Sequence, residues 1–174
     1  DDDSGRWRWA IERLPLALMK QQLAVPGGDP ADLLVEGQLE DLQGVWESAE
    51  AWRVDTQLSE LQVLAAAPWP ALQAQQIALQ LGPSGGQARM NGAAVIDGLP
   101  SLLRSPVSIG DGQGEIVWWR NAAGAWRLRA DDWQASWQDV PVTFAVRYWH
   151  APEQPGVIDL KADVGRTDIA QVMR

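Results

Sequence analysis

Along most of this chain, apolar and polar side chains alternate with a period of two, and tryptophans recur among the apolar positions. Successive side chains of a β-strand point to opposite faces, whereas a helix repeats every 3.6 residues. In residues 52–64 (WRVDTQLSELQVL), the alternation puts Trp52, Val54, Thr56 and Leu58 on one face. Trp133, Ala135 and Trp137 share a face further on, as do Val142, Phe144, Val146 and Tyr148. Ile158, Leu160, Ala162 and Val164 line one side of residues 157–164, with Asp159, Lys161 and Asp163 on the other. Such a split suits a sheet with one wet face. Residues 71–81 also suit a helix, since Ala, Gln and Leu are good helix formers. The period of two over residues 76–81 (QIALQL) favours a strand.

Further strands are predicted over residues 6–13, 35–46, 87–96, 107–109, 114–120 and 125–130. Gly- and Asp-rich clusters punctuate them: residues 82–86 (GPSGG), 110–112 (GDG), 121–124 (NAAG), 131–132 (DD) and 151–156. These are hairpin-type spacings and imply antiparallel pairing. About ten short strands result. No long helices alternate with them, which argues against a βαβ architecture. Two or three brief helical pieces are expected, drawn from four candidate segments: residues 14–22 with Pro15 in the first turn, 31–34, 99–103, and a helix capped by Thr167.

A short internal echo runs through the strands. Leu39, Leu42 and Gln43 match Leu58, Leu61 and Gln62 in spacing, and an apolar–Gln step recurs at Leu72–Gln73 and Trp133–Gln134. Residues 52–57 (WRVDTQ) also resemble 126–131 (WRLRAD). One reading is a series of stacked hairpins; chance recurrence of Leu and Gln is the other.

Composition removes several functions. The net charge is −9 with a pI near 4.5, against the Lys/Arg clusters that nucleic-acid binding requires. There is no cysteine, so disulfides and thiolate metal sites are excluded. The single histidine, His150, lacks any motif that would make it catalytic and reads as a turn residue. The Gly110–Gly114 run precedes a strand, not the helix that a dinucleotide loop needs. Asp131 and Asp132 are ordinary turn carboxylates on this reading, although paired carboxyls across a Trp-rich cleft are also the equipment of glycosidases. No enzyme activity, cofactor or metal is expected. The apolar fraction holds eleven Trp against one Phe and one Tyr. Trp suits surfaces that are apolar on one side and wet on the other, and GC-rich codon usage would produce the same excess.

The C-terminal half resembles a known family. Residues 96–106 (IDGLPSLLRSP), a Gly-x-Gly turn, residues 115–120 (EIVWWR), residues 124–128 (GAWRL) and Asp132–Trp133 follow one another as in the YhdP-type AsmA-like envelope proteins. Residues 156–164 (GVIDLKADV), followed by 168–172 (DIAQV), are similar to that family as well. The resemblance covers roughly residues 35–174. It implies a segment of a long, inner-membrane-anchored, periplasm-spanning protein whose twisted β-groove carries phospholipid between the inner and outer membranes. It implies phospholipid and neighbouring segments of the same chain as partners, a membrane anchor elsewhere in the protein, and no catalytic residues. The alternation fits both a closed core, which is the ordinary reading of it, and an open groove; the resemblance moves the reading towards the groove.

The expectation is therefore a mainly β chain. Residues 1–5 form a linker, and residues 6–174 form an elongated, twisted antiparallel sheet, open or partly closed, from within a larger protein. The candidate groove residues are Trp52, Val54, Leu58, Trp126, Leu128, Trp133, Trp137, Val142, Phe144, Val146, Ile158 and Leu160. The alternatives are a carbohydrate-binding β-sandwich with Trp platforms and a structural or partner-binding β module.

Overall fold

The computed structural model describes residues 5–18, 35–64, 71–97, 107–137, 140–152 and 154–165. They form one antiparallel sheet in strict chain order: β1 (Trp7–Pro15), β2 (Val35–Ser48), β3 (Ala51–Val63), β4 (Ala71–Gly82), β5 (Gly85–Asp97), β6 (Val107–Arg120), β7 (Trp126–Trp137), β8 (Val140–His150) and β9 (Val157–Val164). Each strand touches only its sequence neighbours, and among the described residues β1 and β9 do not meet, so the sheet is open. Residues 71–82 are strand, as their period of two predicts.

Two predicted turns are not turns. Gly110–Gly112 lies within β6, and Asp131–Asp132 lies within β7, so four predicted short strands are two long ones. Both sites are β-bulges, where one extra residue enters a strand without ending its pairing. Of the predicted helical pieces, the described residues contain a single tight turn at 16–18; Pro15 does not open it but closes β1. Residues 31–34, 99–103 and the helix after Thr167 lie outside the described residues.

The Leu-x-x-Leu-Gln echo is the signature of these bulges. Asp41, Glu60, Asp111 and Asp132 have φ of 51°, 53°, 47° and 50°. Each is followed by an inward position and then a Gln: Gln43, Gln62, Gln113 and Gln134. In an unbroken strand, residues three apart face opposite ways. Here Leu39 and Leu42 are both buried, as are Leu58 and Leu61, and Ala130 and Trp133. The inserted acidic residue takes up the half-turn and returns the apolar series to the same face. The repeat thus marks bulges within strands, on a sheet that is itself a run of consecutive hairpins. Opposite the β2 bulge sits Thr56, the one buried polar residue in the described core, whose Oγ1 donates to the Glu40 carbonyl at 2.8 Å.

The bulges also bend the sheet, since they increase local twist. The degree of curl follows from one cavity. Side chains of β4 through β8 line a common space of about 280 Å³. In a flat sheet β4 and β8 would stand roughly 19 Å apart, so a single space lined by both requires the apolar face to curve around it. The apolar face is concave there.

Replacing Glu60 by Val is expected to cost about 1–2 kcal/mol, because a β-branched residue is poorly accommodated at positive φ. Glu60→Gly is expected to leave stability unchanged or raise it. Thr56→Val is expected to cost about 1–3 kcal/mol by orphaning a buried carbonyl. Urea denaturation of the three variants checks all of these.

Candidate functional site

The inner face is assembled by register. Ile116, Ala130 and Val146 follow one another across β6, β7 and β8, and Trp118, Leu128, Tyr148 and Ile158 form the next row through β9. Trp133 pairs with Phe144, their rings stacked 5.4 Å apart at 15°. Beneath these rows β5 presents Ala88, Met90 and Ala94, and β4 presents Leu72, Ala74 and Ile77. These small and medium side chains leave the 280 Å³ space open, and no charged or polar side chain enters its lining.

The tryptophans have a specific structural use. Trp9 stands opposite Gly44, and a Cβ on Gly44 would collide with its indole. Trp118 stands opposite Gly86, whose added Cβ would sit 2.7 Å from the ring. Trp133 lies over Gly114, where the corresponding distance is 2.6 Å. In each case a flat indole spreads across the neighbouring strand through space that only glycine leaves free. At these three places one large side chain covers two positions of a single-layer sheet.

Of the residues predicted from sequence, Leu128, Trp133, Phe144 and Val146 line the cavity. Val54 and Leu58 share the concave face but lie outside its lining, on β3; Leu58 is buried in the same core. Trp52 pairs with Trp46, which pairs with Trp7, in an aromatic row at the end of the sheet that holds the tight turns. Trp126 stands at that same end, with the Arg120 guanidinium 5.8 Å from its ring centre. Val142 is in register with Ala135 and Val164, and Trp137 with Val140. Ile158 and Leu160 share the inner row but remain 66% and 62% exposed, because β9 is an edge strand. The predicted list missed Leu72, Ala74, Ile77, Ala88, Met90, Ala94, Ile116 and Ala130. For Ala88 and Ala94 the signal was the small-residue stretch 88–94 (ARMNGAA), which makes room instead of filling it; Leu72, Ile77 and Ile116 were legible as apolar strand positions but were not selected.

The outer face is charged. Arg89 pairs with Glu115 at 2.5 Å across β5 and β6, and Arg53 pairs with Asp55 at 2.7 Å along β3. The Arg53 bonds, with a further one from Gln80 at 2.7 Å, hold the Asp55 carboxyl below the usual carboxylate range against the opposing effect of partial burial. Among the described residues, no group of three or more His, Cys, Asp or Glu side chains is placed to hold a metal, and no helix is long and apolar enough to cross a membrane.

No protein-family model, curated protein or solved structure matches this chain.

Gly114→Val is expected to destabilise by about 1–3 kcal/mol through overpacking against Trp133, and to weaken the near-ultraviolet circular dichroism of the stacked rings. Gly82→Ala, whose new Cβ meets its nearest atom at an ordinary 3.6 Å, serves as the control. Asp55 is expected to titrate below the ordinary aspartate value of about 3.9 in carbon-detected NMR. A lowered folded-state pKa means that its stabilisation is fully present above the unfolded value and is lost as pH falls through the folded one. Gln80→Ala is expected to move that titration upward.

Proposed function

We propose that this chain is a segment of an AsmA-like, periplasm-spanning protein that shields phospholipid acyl chains in its concave β-face during passage between the inner and outer membranes. The observation that carries the reading is an uncharged, wholly apolar cavity of about 280 Å³ on the inner face of an open sheet. Each CH₂ removed from water contributes about 0.8 kcal/mol, so such a face retains an acyl chain by area alone, without a specific contact. That suits a ligand that must slide. The residue-level resemblance to YhdP-type proteins supports the same assignment, as do the exposed apolar side chains Ile158, Leu160 and Val164 on β9, which extend the greasy face to the sheet edge. On this reading the protein is not an enzyme, needs no cofactor, and works in the periplasm, joined to neighbouring segments and to an inner-membrane anchor of the same protein.

Trp133, the tryptophan in the cavity lining, is no open sugar platform, because it is buried over Gly114 and stacked on Phe144. Lipid extraction and mass spectrometry of the purified protein test the proposal. Phospholipid is expected to co-purify, and Ala88→Trp, which fills the cavity, is expected to reduce it several-fold. Wild-type protein free of phospholipid, or an Ala88→Trp variant that retains it fully, would overturn the reading.

A further inference from the structure

The convex face of the sheet carries a second hollow, of about 410 Å³, near the end of the sheet that holds the tight turns. Trp119, Arg127 and Trp149 form one row across β6, β7 and β8, in direct register. The adjacent row places Arg129 opposite Arg147, and Arg147 opposite Asp159. All of these residues line the hollow. From this arrangement we infer that the convex face binds an acidic saccharide: a sugar ring bearing a carboxylate or a phosphate.

Four observations converge on that ligand. Trp119 and Trp149 are 38% and 48% exposed, whereas Trp133, the indole over Gly114 on the other face, is buried, so the two outer rings are free to take an apolar ring surface. Arg129 is paired with Asp131, but Arg127 and Arg147 form no ion pair among the described residues. Each presents a planar fork suited to a carboxylate or phosphate. Arg129, opposite Arg147, already has its charge met by Asp131, so an anion over this row finds Arg127 and Arg147 as its open cations. Asp159 supplies an acceptor for ligand hydroxyls. A flat anionic bilayer fits less well, because the site is a hollow and the chain as a whole carries a net charge of −9.

Titration of the full chain with glucuronic acid, followed through the indole N–H resonances assigned with Trp→Phe variants, tests the inference. Glucuronic acid is expected to shift the Trp119 and Trp149 signals at concentrations at least fivefold lower than glucose or inorganic phosphate. Arg127→Gln and Arg147→Gln are each expected to weaken that response at least fivefold, whereas Arg89→Gln, on the same convex face but outside the hollow, leaves it intact. Should Arg147→Gln fail to fold, Arg147→Lys keeps the charge, removes the fork and is expected to weaken binding likewise. Equal responses to glucuronic acid and glucose would overturn the inference, as would equal responses to glucuronic acid and phosphate. So would binding to anionic phosphatidylglycerol vesicles that glucuronic acid does not displace. Because the site lies on the face opposite the apolar cavity, co-purification of phospholipid and this titration succeed or fail separately.

Discussion

A single layer of β-sheet has no second layer on which to bury its apolar face, and everything else in this protein answers that constraint. The hydrophobic effect scales with apolar area removed from water. With each strand touching only its neighbours, that area is removed only by curling the sheet until distant strands share one concave surface. The acidic bulges bend the strands, and the glycines allow indoles to lie across them. Leu39, Leu58, Ala130 and Trp133 become buried as a consequence, although no helix or second sheet covers them among the described residues. What curling does not fill remains as the apolar cavity, so the device that stabilises the fold and the candidate binding surface have one origin.

The two faces divide their chemistry accordingly. On the concave side, aromatic area is consumed in covering glycines and closing the curve, leaving a hydrocarbon-like lining. The convex side carries the ion pairs of Arg53, Arg89 and Arg129, together with Arg127 and Arg147, which form no ion pair among the described residues, and the exposed Trp119 and Trp149. Tryptophan therefore has two different jobs in one chain. Alternation assigns each residue to a face, but the neighbouring strand decides which job applies. Trp118 faces Gly86 and is packed down on it, whereas Trp119, one position later, faces Arg127 and stays partly open.

Much of the fold was legible because strand alternation is a local property. The β-class, the antiparallel meander, the strand assignment of residues 71–82 and the co-facial sets Val142–Phe144–Val146 and Ile158–Leu160 all follow from spacing within one segment. The bulges were misread where they contained Gly or paired Asp. Gly110, Asp111 and Gly112, and likewise Asp131 and Asp132, are good turn formers, and local chemistry does not distinguish a turn that reverses the chain from a bulge that only kinks it. The Leu-x-x-Leu-Gln echo contained the answer, but its meaning depends on the partner strand that pairs across the extra residue. The cavity was half legible: Leu128, Trp133, Phe144 and Val146 stand out as large apolar residues, whereas Ala88, Ala94 and Ala130 define the space by what they lack.

By itself, the sequence determined that the chain forms antiparallel strands, which side chains share a face within each, and that it lacks the cysteines for thiolate chemistry. These follow from a period of two and from composition, and neither depends on distant contacts. Only the tertiary structure decided that the sheet is open among the described residues, that its apolar face curls around a hydrocarbon-lined space, and that Trp119 and Trp149 flank two arginines with no ion pair among the described residues on the other side. Those outcomes rest on register between strands up to four places apart, where a single inserted residue reverses every side chain that follows it.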